Sequence, residues 1–272
     1  MSDGPPPTGH RHDVWADGAR YERYIGRWGR LVGRAFVPWL GVRPGARWVD
    51  VGCGGGALTS LIVELAAPVA VLGVDPSAGF LDHARTAVRA PVTSFAVGDA
   101  AALPVPDGSC DAIVAGLVLN FVPDVPAALR EWRRAAMPGA ILGGYVWDYA
   151  EGMEMLRRFW DAAAALDADA AALDEGPRFP LTRREAMGAA YAAAGLVDVV
   201  TRAIDIPTRF QDFDDFWQPF LGGQGPAAAY VVELPDDARE ALRRRLMADL
   251  PVAADGSIEL TARAWAVKGR NP

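Results

Sequence analysis

The fold is decided by residues 47–57, which read RWVDVGCGGGA. An apolar β-type run, Arg47–Val51, leads directly into a glycine-rich loop, and a helical pattern begins at Ala57. Glycines let a backbone turn tightly and approach a ligand closely. The loop follows the carboxyl end of its strand, which is the edge where open α/β sheets bind ligands. We therefore expect a ligand site here.

The alternation of strand and helix continues beyond this loop. Apolar strands are predicted near residues 69–74, 92–97, 111–116, 140–147, 197–204 and 258–267, with helices between most of them. Nearly continuous apolar strands are typical of a sheet that is buried on both faces. The pattern predicts a Rossmann-like, doubly wound α/β fold with helices on both sides of a parallel sheet.

The composition excludes several classes of protein. The chain has 272 residues, of which 51% are hydrophobic, and a formal net charge of -7, which is a poor match for nucleic acid. Its two cysteines, Cys53 and Cys110, do not imply a disulfide framework. No stretch has the length and apolarity of a membrane span, and residues 1–13 lack a signal-peptide pattern. We expect a cytoplasmic protein that acts on a small molecule, and the oligomeric state stays open.

The glycine loop alone leaves two kinds of ligand open. Gly52, Gly54 and Ala57 satisfy the dinucleotide fingerprint G-x-G-x-x-G/A, and Asp75 lies at about the right distance to bind a ribose. An NAD(P)-dependent oxidoreductase is therefore one alternative. A phosphate-binding P-loop is excluded because no Gly-Lys-Ser/Thr follows.

Three acids favour a different ligand, because one lies at the end of each of three successive strands. Asp50 precedes the loop, where its charge would repel a pyrophosphate but attract an ammonium group. Asp75 ends the second predicted strand, where its oxygens can accept both ribose hydroxyls. Asp99 ends the third, where it can accept from an adenine amino group. This arrangement suits S-adenosylmethionine.

At this point the chain resembles the class I S-adenosylmethionine-dependent methyltransferases, and more narrowly the branch that includes the ubiquinone and menaquinone biosynthesis enzymes. The motifs are VDVGCGGG at 49–56, GVDPS at 73–77, GDA at 98–100, DAIV at 111–114 and LNFVPD at 119–124. The resemblance implies methyl transfer from S-adenosylmethionine to a small molecule. It also implies a seven-stranded, mostly parallel sheet, with an antiparallel last strand beside the sixth and helical cap insertions.

The resemblance further implies a role for individual residues in cofactor binding. The methionine part would lie over the glycine loop, and the ribose, adenine and sulfonium would follow the ends of the next strands. In that order, the residues are Asp50, Gly52 and Gly54; Asp75, Pro76 and Ser77; Asp99 and Ala100; and Leu117. Tyr24 or Arg27, in a segment similar to a family N-terminal cap, would reach the cofactor carboxylate. The alternative for these two is a helix packing face and a surface salt bridge.

Catalytic residues are harder to assign, because no histidine or metal-ligand cluster marks the expected site. Asp148 and Tyr149 follow the fifth predicted strand and are candidates for a general base or for orienting the acceptor. The alternative is that Asp148 caps a helix and Tyr149 packs. A protein that binds the cofactor without catalysis also stays open. We predict no metal site.

The chain is predicted to form one methyltransferase domain over residues 14–272, after a disordered N-terminus at 1–13. Within it we expect an N-terminal helical cap at 19–42, a cofactor-binding half at 43–147, and substrate-cap insertions at 148–182 and 207–235. The insertions carry two aromatic stripes, one around Phe159 and Trp160 and one around Phe216. These stripes would either line an apolar acceptor pocket or fill a core.

Overall fold

The computed structural model describes residues 26–223 and 225–272, and within them it contains one seven-stranded sheet. The strands are β1 Arg47–Val51, β2 Ala70–Asp75, β3 Thr93–Val97, β4 Cys110–Gly116, β5 Ala136–Trp147, β6 Val197–Phe210 and β7 Ile258–Arg270. Their order is β3-β2-β1-β4-β5-β7-β6. The pairs among β1 to β5 are parallel, and β7 runs antiparallel to β5. The predicted fold class is confirmed.

Helices connect these strands. They are α1 Arg27–Leu40, α2 Ala57–Ala66, α3 Ala78–Ala87, α4 Val125–Ala135, α5 Glu154–Leu166, α6 Glu175–Arg178, α7 Arg184–Ala193, α8 Phe213–Trp217, α9 Pro226–Glu233 and α10 Asp236–Asp249. A short 3-10 turn, Leu119–Phe121, follows β4. Within residues 26–223 and 225–272, every helix is too short or too polar to cross a bilayer.

Both faces of the sheet are covered, as its apolar strands predict. On one face, Ile113 and Leu142 belong to a buried cluster with Trp132 of α4 and Tyr191 of α7. Elsewhere on the sheet, Tyr145 of β5 meets Phe36 of α1 edge-on, with ring centroids 4.8 Å apart. This packing fixes the ends of the central strands, which carry the expected site.

The last two strands are longer than predicted. β6 continues to Phe210 although Pro207 lies within it, and β7 continues to Arg270. The predicted ends, at residues 204 and 267, were too early, and for β6 the physical reason is the treatment of Pro207 as the end of the strand. A proline breaks only a strand that needs its N–H, and β6 is an edge strand among the described residues.

The chain divides into two compact units. The sheet unit comprises Trp28–Met153, Phe179–Ile206 and Ala262–Pro272, and the helical unit comprises residues 26–27, Glu154–Arg178 and Pro207–Thr261. The insertions predicted at 148–182 and 207–235 overlap the helical unit, which also includes α10. The expected disordered residues 1–13 and the first part of the cap at 19–42 lie outside the described residues. The cap's role over the acceptor stays a prediction.

The two aromatic stripes form the core of the helical unit. Phe159 stacks on Phe220 with ring centroids 4.6 Å apart and planes at 13°, and Phe216 packs 5.5 Å from Phe220. Trp160 and Tyr230 extend this cluster. Phe159, Phe216 and Phe220 have no exposed surface. Core packing, rather than an open pocket, therefore explains the stripes.

A buried acid makes the stability of the helical unit depend on pH. Glu175 is buried and accepts a hydrogen bond from Trp160 Nε1 at 2.5 Å. Burial raises the pKa of Glu175 from 4.5 to about 7. Between these values the folded chain binds more protons than the unfolded chain, so the contribution of Glu175 to stability falls as pH rises.

We predict that Glu175→Gln gains stability relative to the unaltered protein by on the order of 2 kcal/mol between about pH 5 and about pH 8. Glutamine keeps an oxygen for Trp160 and removes the charge. Urea unfolding at both pH values measures the difference. Glu185→Gln, at an exposed position on α7, is the control, and its stability relative to the unaltered protein should be the same at both pH values. Identical pH dependence of the two variants would contradict the prediction.

Candidate functional site

The loop after β1 turns through three glycines with positive φ. Gly52, Gly54 and Gly56 have φ of 66°, 51° and 86°, which side-chain-bearing residues rarely adopt. A Cβ at Gly52 would lie 2.6 Å from both γ-carbons of Val118, whereas one at Gly54 would meet no atom of the described residues within 4 Å. Gly54 is therefore where a ligand can approach the backbone most closely.

Asp75, the last residue of β2, holds this loop in place. Its Oδ2 accepts from the Gly54 N–H and its Oδ1 from the Ser77 N–H, both at 2.9 Å. Ser77 in turn caps α3, since its Oγ accepts from the Phe80 N–H, and Pro76 is exposed beside it. A carboxylate oxygen has two lone pairs, so Asp75 retains capacity to accept from ribose hydroxyls.

Asp50 lies in β1, and only 1% of its surface is exposed. Its Oδ2 accepts from the Thr59 hydroxyl at 2.6 Å, and its Oδ1 has no hydrogen-bond partner among the described residues. Burial is the main cause that raises the pKa of Asp50 to about 7; hydrogen bonds from Thr59 act against this rise, and the neighbouring Asp75 adds to it. A cationic group would stabilise the ionised form, and a diphosphate would oppose it.

Asp99 and Ala100 follow the third strand and lie on an exposed turn. The Asp99 Oδ1 accepts from the Ala101 N–H at 2.7 Å. The Ala100 carbonyl accepts from Trp132 Nε1 at 3.1 Å, and this bond ties the turn to α4. Since Asp75 pairs with Val97, this turn follows β2 and β3 at the same edge of the sheet. Asp99 and Ala100 therefore lie near the end of β2, and their contact with an adenine stays a prediction.

Leu117, just after β4, has φ of 62°, an unusual conformation for a residue with a branched side chain. Its N–H donates to the Tyr145 carbonyl at 2.8 Å, which holds the strained backbone. Three residues later, the buried Nδ2 of Asn120 has no partner among the described residues. Strain and an unsatisfied donor are features that cluster at functional sites.

Arg27 is engaged within the helical unit. Its Nη1 lies 2.9 Å from Asp215 Oδ1, and its guanidinium lies 5.1 Å from the ring centroid of Phe210. These contacts match the salt-bridge alternative, and a contact with a cofactor carboxylate stays a prediction. Tyr24 lies outside the described residues.

Asp148 and Tyr149 are both buried beyond the end of β5. Asp148 Oδ1 accepts from the Glu151 N–H at 3.1 Å, and its Oδ2 lies 3.9 Å from Arg263 Nη1. Tyr149 lies 6.0 Å from the ring of Phe179. Asp148 thus stabilises the turn that precedes α5. It does not cap the helix itself, which begins at Glu154. A catalytic role of either residue stays a prediction.

Cys53 does not have the environment of a nucleophile. It is buried in the glycine loop, and burial raises the pKa of its thiol well above the usual range, so that the thiolate is disfavoured. In the part of the chain that the structure describes, no group of three or more His, Cys, Asp or Glu side chains is arranged to hold a metal ion.

These residues fit a ligand that is cationic at one end and carries hydroxyl and amino donors along its length. Gly54 offers an open backbone approach, Asp50 an unsatisfied buried oxygen, and Asp75 and Asp99 further acceptors in strand order. Thr59 was missed at the sequence level, because a threonine on the apolar side of a helix is typical of a core. Its contact with Asp50 joins residues 9 apart and depends on the packing of α2 against β1.

The chain matches the family described as "Methyltransferase domain" over residues 49–143. It is 39% identical over 116 residues to the 2-phytyl-1,4-naphtoquinone methyltransferase of Synechococcus elongatus, covering 41% of this chain and 50% of that protein. It is 29% identical over 197 residues to the 2-methyl-6-phytyl-1,4-hydroquinone methyltransferase of Synechocystis, covering 70% and 60%. The chain thus spans half the length of the first of these relatives.

A solved structure shares the fold at low identity. It is that of phosphoethanolamine N-methyltransferase 2 of Haemonchus contortus in complex with S-adenosyl-L-methionine. The TM-score is 0.58 at 17% identity, and the alignment covers 93% of this chain and 56% of that one. This similarity shows the fold alone.

Proposed function

Since residues 49–143 match the family described as "Methyltransferase domain", we propose that this protein transfers the methyl group of S-adenosylmethionine to a small-molecule acceptor. The family match confirms the resemblance inferred from the motifs. The observation that carries the proposal is the buried, unsatisfied Oδ1 of Asp50, four residues before the open backbone at Gly54. A cationic ligand satisfies this oxygen, whereas a dinucleotide diphosphate would add a second negative charge.

The chain's own residues would bind and orient the cofactor in strand order. Gly52 and Gly54 leave room for the methionine part, and Asp50 supplies an acceptor for its ammonium group. Asp75, with Pro76 and Ser77 beside it, would bind the ribose. Asp99 and Ala100 would contact the adenine, and Leu117 would lie near the sulfonium.

S-adenosylmethionine supplies an already activated methyl group when bound, so the protein's main task is to position the two reactants. The unsatisfied Nδ2 of Asn120 is available to orient an acceptor beyond β4. Asp148 and Tyr149 remain the candidates for a base. Both curated relatives bear the names of enzymes for quinone-type rings, and rings of Phe121 and Phe179 lie 5.5 Å apart in the sheet unit. We infer a planar, aromatic or quinone-like acceptor.

Calorimetry with S-adenosylhomocysteine and NADH tests the cofactor, and labelled methyl transfer to small-molecule extracts tests the reaction. We expect binding of S-adenosylhomocysteine, no binding of NADH, and a low-molecular-weight product that carries the label. Tight binding of NADH alone would reverse the assignment in favour of an oxidoreductase. Binding of S-adenosylhomocysteine without transfer to any extract would favour a non-catalytic cofactor-binding protein.

A further inference from the structure

Thr59 is a polar residue that the proposed function has not used. It lies in the first turn of α2 and is completely buried, as is most of Asp50. Its hydroxyl makes one hydrogen bond, at 2.6 Å, to Oδ2 of Asp50. The hydroxyl of Thr59 therefore contacts a buried acid beside the glycine loop, and packing alone does not explain why this position is polar.

The carboxylate of Asp50 also lies beside the first turn of α2, because it accepts from the Thr59 hydroxyl in that turn. The residue before α2 is Gly56, which has no side chain to cap the helix. A carboxylate near a helix N-terminus interacts favourably with its unpaired N–H groups and its dipole. In addition to its hydroxyl, the backbone of Thr59 bonds to Asp50 and lowers the pKa of that acid. Both contacts involve one residue of α2, so Thr59 fixes the orientation of the carboxylate.

This arrangement separates the two oxygens of Asp50. Oδ2 is held by Thr59, while Oδ1 is buried and has no partner among the described residues. Leaving a buried acceptor unsatisfied destabilises the protein, so such an atom needs a partner from elsewhere. We propose that Thr59 is a positioning residue, whose hydroxyl holds Oδ2 of Asp50 so that Oδ1 accepts from the ammonium group of the bound cofactor. This proposal rests on the proposed function.

The charges around Asp50 explain why its orientation needs support. Asp75, at the end of β2, opposes ionisation of Asp50 by repulsion. The thiol of Cys53 stays neutral, because burial raises its pKa. The hydrogen bonds from Thr59 are what favour the carboxylate before a cation arrives, and removal of the hydroxyl therefore reduces the ionised fraction near neutral pH.

A pair of variants and a pair of ligands test this role. Thr59→Val has nearly the same shape but no hydroxyl, and Thr59→Ser keeps the hydroxyl. S-adenosylhomocysteine carries the ammonium group, whereas methylthioadenosine has the same nucleoside without the amino-acid part. We expect Thr59→Val to weaken S-adenosylhomocysteine binding about tenfold in calorimetry and to leave methylthioadenosine binding within about twofold. Thr59→Ser should restore most of the affinity.

The pH dependence of S-adenosylhomocysteine binding separates a positioning role of Thr59 from a merely structural one, which would not depend on pH. We compare the Kd of Thr59→Val with that of the unaltered protein as a ratio. Titration of the ligand itself changes both Kd values equally and so does not affect this ratio. We expect this ratio for S-adenosylhomocysteine to shrink from about pH 6.5 to about pH 8.5, because alkaline pH ionises Asp50 without the hydroxyl's help. Circular dichroism melts of both variants confirm that the fold is intact.

Equal weakening of both ligands, no weakening of either, or a ratio that does not change with pH would overturn the role of Thr59. Selective weakening of S-adenosylhomocysteine, recovered by serine and by alkaline pH, would support it. If the unaltered protein binds neither ligand, the proposed function itself fails, and the role of Thr59 fails with it.

Discussion

Asp75→Ala is expected to weaken the binding of S-adenosylhomocysteine by about 5- to 150-fold, which corresponds to about 1–3 kcal/mol. Two effects combine in this variant. The ribose hydroxyls lose their acceptor, and the N–H groups of Gly54 and Ser77 lose the carboxylate that holds them at 2.9 Å. The glycine loop and the start of α3 are then no longer joined through one carboxylate, so the binding surface is less well ordered before the ligand binds.

The matched control is Asp82→Ala, which removes an exposed acid from the outer surface of α3. Asp82 pairs with Arg85 rather than with the glycine loop. Its removal should leave affinity within about twofold, since exposed ion pairs contribute little. Calorimetry compares the affinities and thermal melts compare the stabilities. Unchanged affinity in Asp75→Ala would remove Asp75 from the site.

Gly54→Ala is expected to reduce S-adenosylhomocysteine affinity at least about tenfold while the protein remains folded. A Cβ at this position meets no described atom within 4 Å, so the protein itself has room for it. The cost to the fold is that of φ near 51°, about 1–2 kcal/mol for an L residue. The methyl group instead occupies the space through which we propose the ligand passes.

Gly45→Ala controls for the cost of placing an alanine at positive φ. Gly45 has φ of 78° and an equally open Cβ position, but it lies before β1, at the opposite end of the strand from the loop. Both variants should lose similar stability in urea unfolding, and only Gly54→Ala should lose affinity. If both variants bind as the unaltered protein does, the ligand does not cross Gly54.

The sequence was sufficient to predict the features that are local. The VDVGCGGG loop and the acids Asp50, Asp75 and Asp99 all follow from short motifs, and the structure places them at the expected strand ends. The turn chemistry of glycine and the acceptor chemistry of a carboxylate are properties of single residues. These properties are therefore the same in any fold that places these strands side by side.

Features that depend on distant parts of the chain were beyond the sequence. Arg27 meets Asp215, 188 residues away, and no local pattern encodes that pair. An aromatic stripe looks the same whether it lines a pocket or fills a core, and only the stacking of Phe159 on Phe220 decides between them. The length of β6 depended on its place in the sheet, because Pro207 is tolerated at an edge and would not be tolerated inside.

That proline also bears on how the molecule behaves at high concentration. A long edge strand has unpaired N–H and C=O groups, to which strands of other copies can hydrogen-bond and so start a fibril. In β6, Pro207 lacks the N–H that a joining strand would need, and Asp198, with φ of 53°, bends the backbone near the other end. The two interruptions confine the regular part of β6 to residues 199–206, which opposes the addition of strands along its whole length.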